Sequence, residues 1–120
     1  MLNTAGGLCV LIGITHSYLG ETRILVPMYA QYKLPVLRGS DRATKNVMRF
    51  AWHLTSVAWA GLGAVLFVAA SPAANPMMLA ARIIAVTFAI HAVVTAGASR
   101  GRHYAWIVFT AIAVLAWLGV

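Results

Sequence analysis

Residues 47–70, VMRFAWHLTSVAWAGLGAVLFVAA, decide the fold class, because this long segment carries a single charged side chain, Arg49. As an α-helix rising about 1.5 Å per residue, the segment is about 36 Å long, which is enough to cross the core of a bilayer. Three other apolar runs have similar lengths and cover about 5–26, 76–98 and 103–120. The sequence therefore predicts one domain over residues 1–120, an all-α, integral membrane four-helix up-down bundle.

The composition of the chain points to the same class. Of its 120 residues, 62% are hydrophobic and 9% are charged, whereas about a quarter of the residues of a soluble domain are charged. The net charge of +7 would indicate a nucleic-acid partner if the basic residues shared a polar surface with aromatic ones. Eight of the nine lie instead in or beside two connections between apolar runs, so the lipid bilayer is the expected partner and nucleic acid is not.

The distribution of basic residues predicts the orientation. The middle connection, residues 71–76, has no charged residue, whereas the other two connections are basic. Their Lys and Arg residues are Arg23, Lys33, Arg38, Arg42, Lys45 and Arg49 in the first and Arg100 and Arg102 in the last. Cytoplasmic loops are enriched in such residues, so we expect both termini to lie outside the cytoplasm in a bacterial-type inner membrane.

Local signals place several helix boundaries. Ser40 is a suitable N-cap for a helix that begins at Asp41. Asn75 followed by Pro76 is the N-cap and first-turn pairing typical of a helix start. Pro27 should end or kink the first helix, because proline lacks a backbone N–H and its ring clashes with the preceding turn.

Three histidines fall inside the predicted spans at one depth. His16, His53 and His91 each lie about 10–14 Å from the cytoplasmic boundary, and ionisable side chains within a membrane are costly and mark functional sites. Imidazole ligates Fe, Cu and Zn, so we expect the three to converge on a transition metal, with Glu21 as a supporting ligand. The alternative is haem b held by two of the histidines, with Arg49 near its propionates, which suits a redox role.

Glycines strengthen this expectation. Gly13 and Gly20 flank His16 on its own helix face, which leaves room for a flat ligand to approach the imidazole. Gly6, Gly13 and Gly20 also form a small-residue face on the first helix, and residues 60–64 form another on the second, as is typical of close helix contacts in lipid. His103, beside Arg102 at the water boundary, is expected to be solvated instead.

Glu21 and Arg49 share a depth of about 6 Å from the cytoplasmic boundary, so an ion pair between the first two spans is expected. In length, number of spans and a glutamate in its first span, the chain resembles the small multidrug resistance family in architecture. The resemblance implies a dimer that exchanges protons for substrate at that carboxylate. A small proton-coupled transporter using Glu21 is therefore the alternative function, with a homo-oligomer as its assembly.

A basic stripe supports a third alternative. Arg42, Lys45 and Arg49 are spaced i, i+3 and i+7, which places them along one helix face suited to the head groups of anionic lipids. A lipid-associated accessory subunit of a membrane complex would carry such a stripe. The sequence identifies no reaction or substrate.

Overall fold

The computed structural model describes residues 1–36 and 39–120, and it contains helices and no strand in these ranges. The elements are α1 (Leu2–Leu19), a π-helical turn (Gly20–Leu25), α2 (Val26–Gln31), α3 (Asp41–Ala69), α4 (Pro76–Ser99) and α5 (Ala105–Leu118). Because α1, the π-helical turn and α2 follow one another without a break, the described chain forms four helical segments. The all-α prediction is confirmed. Arg38, counted above as a basic residue of the first connection, lies outside the described residues.

The predicted helix starts are confirmed by their caps. The Oγ atom of Ser40 accepts a hydrogen bond from the backbone N–H of Arg42 at 3.0 Å, where α3 begins. The Oδ1 atom of Asn75 accepts one from the backbone N–H of Met78 at 3.0 Å, and Pro76 follows as the first residue of α4. Each side chain satisfies a backbone donor that has no partner within its own helix.

The predicted break at Pro27 takes the form of a widened turn. The helix continues through Pro27 to Gln31, and residues Gly20–Leu25 before it are π-helical. In a regular α-helix the proline ring would clash with the carbonyl group of Arg23, four residues earlier. We attribute the π-helical turn to this conflict, since a wider turn moves that carbonyl without ending the helix.

The four segments lie in a row and do not close around a core. α1 packs against α3, α3 against α4, and α4 against α5, and the molecule measures 53 × 30 × 13 Å. Helices pack about 8–10 Å apart, so the 30 Å width accommodates four segments side by side in one layer. The prediction of neighbouring consecutive helices is confirmed, whereas the compact packing expected of a four-helix bundle is corrected to an open row.

Small residues allow the close approach of α1 and α3, as predicted. A Cβ atom on Gly6 would lie 2.9 Å from the carbonyl oxygen of Gly63, and one on Gly63 would lie 2.8 Å from that of Gly6. Farther along the same interface, a Cβ atom on Gly13 would lie 3.1 Å from the carbonyl oxygen of Ser56. The two backbones are thus in direct contact along this side of the layer.

In the part of the chain that the structure describes, two helices, α3 and α4, are long and apolar enough to span a membrane. α5 is apolar but has 14 residues, or about 21 Å, which is shorter than a bilayer core of about 30 Å. Large apolar side chains are exposed on all four segments, among them Leu11, Leu62, Val93 and Leu115. Such a surface suits lipid or another apolar partner better than water.

Candidate functional site

The facing sides of α1 and α3 carry most of the polar side chains predicted to be functional. On the α1 side, Ser17 and Glu21 are four residues apart and so share a helix face. On the α3 side, Arg49, His53 and Ser56 do the same at spacings of four and three. The structure joins these residues and His16 by direct contacts, and we refer to the six together as the α1–α3 polar network: His16, Ser17, Glu21, Arg49, His53 and Ser56.

The ion pair predicted between Glu21 and Arg49 is confirmed. The Nη2 atom of Arg49 lies 2.8 Å from Oε1 of Glu21, and Nε donates to Oε2 at 3.1 Å. This two-pronged geometry is the strongest that an Arg–carboxylate pair adopts. Glu21 lies in the π-helical turn, so the pair ties that turn to α3.

Two histidines and two serines extend the network away from the ion pair. The Nε2 atom of His53 lies 3.3 Å from Oε2 of Glu21, and its Nδ1 atom lies 2.9 Å from Oγ of Ser17. The Oγ atoms of Ser17 and Ser56 lie 3.0 Å apart, and Oγ of Ser56 lies 3.2 Å from Nδ1 of His16. Each hydroxyl or imidazole can both donate and accept, so a continuous hydrogen-bonded path joins Glu21 to His16.

The space beside His16 is filled by an aromatic side chain of α3. The indole of Trp52 stacks on the imidazole with centroids 4.5 Å apart and planes 4° apart, and its Nε1 atom donates to the carbonyl oxygen of His16 at 3.0 Å. Trp59 meets the imidazole edge-on at 4.9 Å. A Cβ atom on Gly20 would overlap the Trp52 indole. The expectation that Gly13 and Gly20 leave room for a flat ligand is thereby corrected, because Ser56 and Trp52 occupy that room.

His91 lies in a different environment from His16 and His53. Its Nδ1 atom lies 2.7 Å from the carbonyl oxygen of Thr87, and its ring contacts Phe88 and Phe109. α3 lies between α1, which carries His16, and α4, which carries His91. Equal positions along the helix axes therefore do not bring all three histidines together. The predicted convergence of His16, His53 and His91 is therefore corrected.

The metal prediction finds no support in the geometry. Within residues 1–36 and 39–120, no group of three or more His, Cys, Asp and Glu side chains could hold a metal ion. Glu21 and His53 are in contact, but the other predicted ligands do not join them in one cluster. Binding of haem or of a transition metal stays a prediction.

Two further side chains contact α3 outside the network. Tyr29 lies beside Arg49, and His103 lies in the connection between α4 and α5. Tyr29 donates to the carbonyl oxygen of Lys45 at 3.1 Å, and the Arg49 guanidinium lies 5.4 Å from its ring centroid. Burial raises the pKa of the Tyr29 phenol, which keeps it protonated as a donor. His103 is exposed, as predicted, and its ring meets Phe50 edge-on.

Sequence reasoning missed two members of this region. Ser17 has a readable signal, because it stands four residues before Glu21 and so on the same face. Trp52 has none, because a tryptophan near a predicted span end is typical of an interface anchor. Its stacking on His16 depends on which helix packs beside α1.

The polar network is accessible from one side of the layer. A groove of about 560 Å³ between α1 and α3 is lined by Ser17, His53 and Ser56 together with apolar residues such as Val10 and Ile14. Fold and site define a class, an all-helical apolar protein with an ionisable hydrogen-bonded network between two helices. Comparison of the chain with protein-family models, curated proteins and solved structures finds no match.

Proposed function

We propose that the protein is a small proton-coupled membrane transporter whose proton pathway is the α1–α3 polar network. One observation carries the proposal, the unbroken series of hydrogen-bonding contacts from Glu21 through His53 to His16. Chains of carboxylate, imidazole and hydroxyl groups within a membrane are typical of proton relays. A network with only a structural role could contain groups that only donate or only accept. Here every hydrogen bond between Glu21 and His16 can reverse its direction.

The two hydrogen-bond directions of the network differ by one proton. With Glu21 ionised, the protons point from His16 through Ser56, Ser17 and His53 toward the carboxylate. A proton that binds Nε2 of His16 lets Nδ1 pass its proton to Ser56, and each following group passes one on. The transfer ends with a neutral Glu21 carboxyl group and every hydrogen bond reversed. No group gains or loses more than one proton.

Two side chains, Arg49 and Trp52, hold the hydrogen-bonded path in this arrangement. Arg49 compensates the charge of the Glu21 carboxylate, so the ionised state is tolerated in an apolar setting. Trp52 fixes the plane of the His16 imidazole by stacking. The groove beside Ser17 and His53 gives a substrate access to the network, and its apolar lining favours substrates with an apolar part.

Proton flux into vesicles tests the proposal. The protein is reconstituted into liposomes that contain a pH-sensitive dye and a trapped quaternary ammonium compound with an apolar tail, and the outward gradient of that compound drives proton uptake. We expect uptake well above that of empty vesicles, and its loss in Ser17→Ala, which interrupts the network without removing a charge. Thr55→Ala is the matched control, because Thr55 bonds only to backbone carbonyl groups of its own helix. Flux equal to that of empty vesicles, or an unimpaired Ser17→Ala protein, contradicts the proposal.

The same preparation examines the haem and metal alternative. An absorption spectrum and a metal analysis are recorded on the protein purified in mild detergent. A haem band or stoichiometric metal that is lost in both His16→Ala and His53→Ala would place a cofactor within the network and replace the relay proposal. We expect neither, because both ring nitrogens of His53 already contact protein partners and no three ligating side chains cluster among the described residues.

A further inference from the structure

A second polar region lies at one end of the layer, where the start of α3 meets the connection between α4 and α5. A cavity of about 640 Å³ opens there. Its polar lining comes from two separate parts of the chain and includes Ser40, Arg42 and Asn46 at the start of α3 and Arg100, Arg102 and His103 in the connection. The cavity shares no residue with the α1–α3 polar network.

The carboxylate side chains of the described residues pair with other basic groups and not with the arginines of this cavity. The chain has two acidic side chains, Glu21 and Asp41. Glu21 pairs with Arg49, and Asp41 pairs with Lys45 at 2.7 Å. Within the described residues, none of the cavity arginines makes an ion pair with a carboxylate.

These two ion pairs reduce the positive charge of the basic stripe predicted from the sequence. Two of its members, Lys45 and Arg49, are neutralised by the ion pairs just described, and Arg42 alone is left. The structure places Arg42 at the same cavity as Arg100 and Arg102, which are distant from it in sequence. The concentrated positive charge is therefore at the cavity and not along the face of α3.

The connection that supplies Arg100 is held in a specific shape. Arg100 has φ 51° and ψ 44°, a left-handed conformation that costs free energy for any residue with a Cβ atom and that glycine adopts freely. The Nε1 atom of Trp106 donates to the carbonyl oxygen of Gly101 at 3.2 Å, and the ring of His103 packs against Phe50. An arginine at a position that favours glycine is consistent with a binding role for its side chain.

We propose that this cavity binds the phosphate group of an anionic phospholipid. Guanidinium groups bind phosphate oxygens through paired, charge-assisted hydrogen bonds, and three of them line this cavity without a carboxylate partner among the described residues. The lipid is favoured as the source of the phosphate because Tyr104 and Ile107, which follow the lining residue His103 in the chain, are exposed and offer an apolar surface for acyl chains. The proposal is independent of the proton pathway.

Lipid binding to the purified protein tests this inference. Native mass spectrometry in detergent measures the affinity for phosphatidylglycerol and, for comparison, for phosphatidylcholine and inorganic phosphate. We expect phosphatidylglycerol to bind more tightly than either. The Arg100→Gln/Arg102→Gln protein should bind it at least about tenfold more weakly. The control Arg23→Gln/Arg82→Gln removes the same charge elsewhere and should keep the original affinity.

Three results would overturn the proposal. Equal affinity for the two lipids would show that the net negative charge of the head group is not recognised, because phosphatidylcholine carries the same phosphate with a neutralising choline group. Equal weakening in both double variants would show that only net charge matters. Inorganic phosphate that binds as tightly as phosphatidylglycerol would assign the cavity to a soluble anion instead of a lipid. A thermal unfolding curve for each variant confirms that the compared proteins are folded.

Discussion

At the scale of single residues, the environment of His16 depends on a glycine in its own helix. Gly20 lies one turn beyond His16, and the absence of its side chain admits the Trp52 indole from α3. The indole stacks on the imidazole and also donates to the carbonyl oxygen of His16. Stacking and hydrogen bond together fix the end of the polar network.

The first prediction concerns this glycine. Gly20→Ala should lower the free energy of unfolding by about 1–3 kcal/mol, because the new Cβ atom overlaps the Trp52 indole and forces it to move. Gly7→Ala is the matched control, since a Cβ atom on Gly7 meets nothing within 4 Å. It should be neutral or should stabilise α1 by about 0.5–1 kcal/mol. Thermal unfolding in detergent with tryptophan fluorescence measures both effects, and equal stability of the two variants would contradict the packing described.

At the scale of elements, the π-helical turn connects the local conflict at Pro27 with the functional face. The turn covers Gly20–Leu25, and Glu21 lies within it. Single turns of π-helix are rare and often occur at functional sites. Here the turn lies against α3 through the ion pair of Glu21 with Arg49.

The second prediction concerns the strength of the ion pair between Glu21 and Arg49. Glu21→Gln and Arg49→Gln should each lower the free energy of unfolding, and the double variant should lose less than the sum of the two. We expect a coupling of about 1 kcal/mol, because the side chains are 31% and 45% exposed and their attraction is partly screened. Arg82 stacks on Trp117 and does not contact Glu21, so the cycle of Glu21→Gln with Arg82→Gln is the control and should be additive. Additive losses in the first cycle would show that the pair contributes no stability.

At the scale of the whole molecule, the single layer separates two kinds of polar site. The basic cavity lies at the end where the connections before α3 and after α4 meet, and the uncharged connection between α3 and α4 lies at the other end of these helices. An orientation with the basic end in the cytoplasm agrees with the enrichment of Lys and Arg in cytoplasmic loops. It also puts the cavity at the lipid head groups of the inner leaflet. The proposed topology and the proposed lipid site thus require the same orientation.

The third prediction tests this orientation. Single cysteines are introduced as Lys33→Cys, Arg100→Cys and Asn75→Cys in a protein whose Cys9 has been replaced by alanine. An impermeant thiol reagent applied to intact cells should label only the Asn75→Cys protein, and all three should react after the membrane is disrupted. Labelling of the Lys33→Cys and Arg100→Cys proteins, but not the Asn75→Cys protein, would reverse the proposed topology.

The sequence by itself determined the helices and the position of each residue along its helix axis. Apolar run length predicted the four helical segments, and the Ser40 and Asn75 caps predicted two of their starts. Matched depth also predicted the Glu21–Arg49 ion pair, because those two helices are consecutive and pack together. All of these features depend on local chain geometry or on neighbouring segments.

The lateral order of the helices was decided only by the tertiary structure. Depth is one coordinate, and residues at one depth meet only if their helices are adjacent and turned toward each other. His91 shares the predicted depth of His16 and His53 but lies beyond α3, among aromatic side chains of α4 and α5. Trp52 beside His16 and the arginines of the basic cavity likewise depend on which helix faces meet. Such contacts form between segments far apart in sequence, so periodicity and spacing within one segment do not specify them.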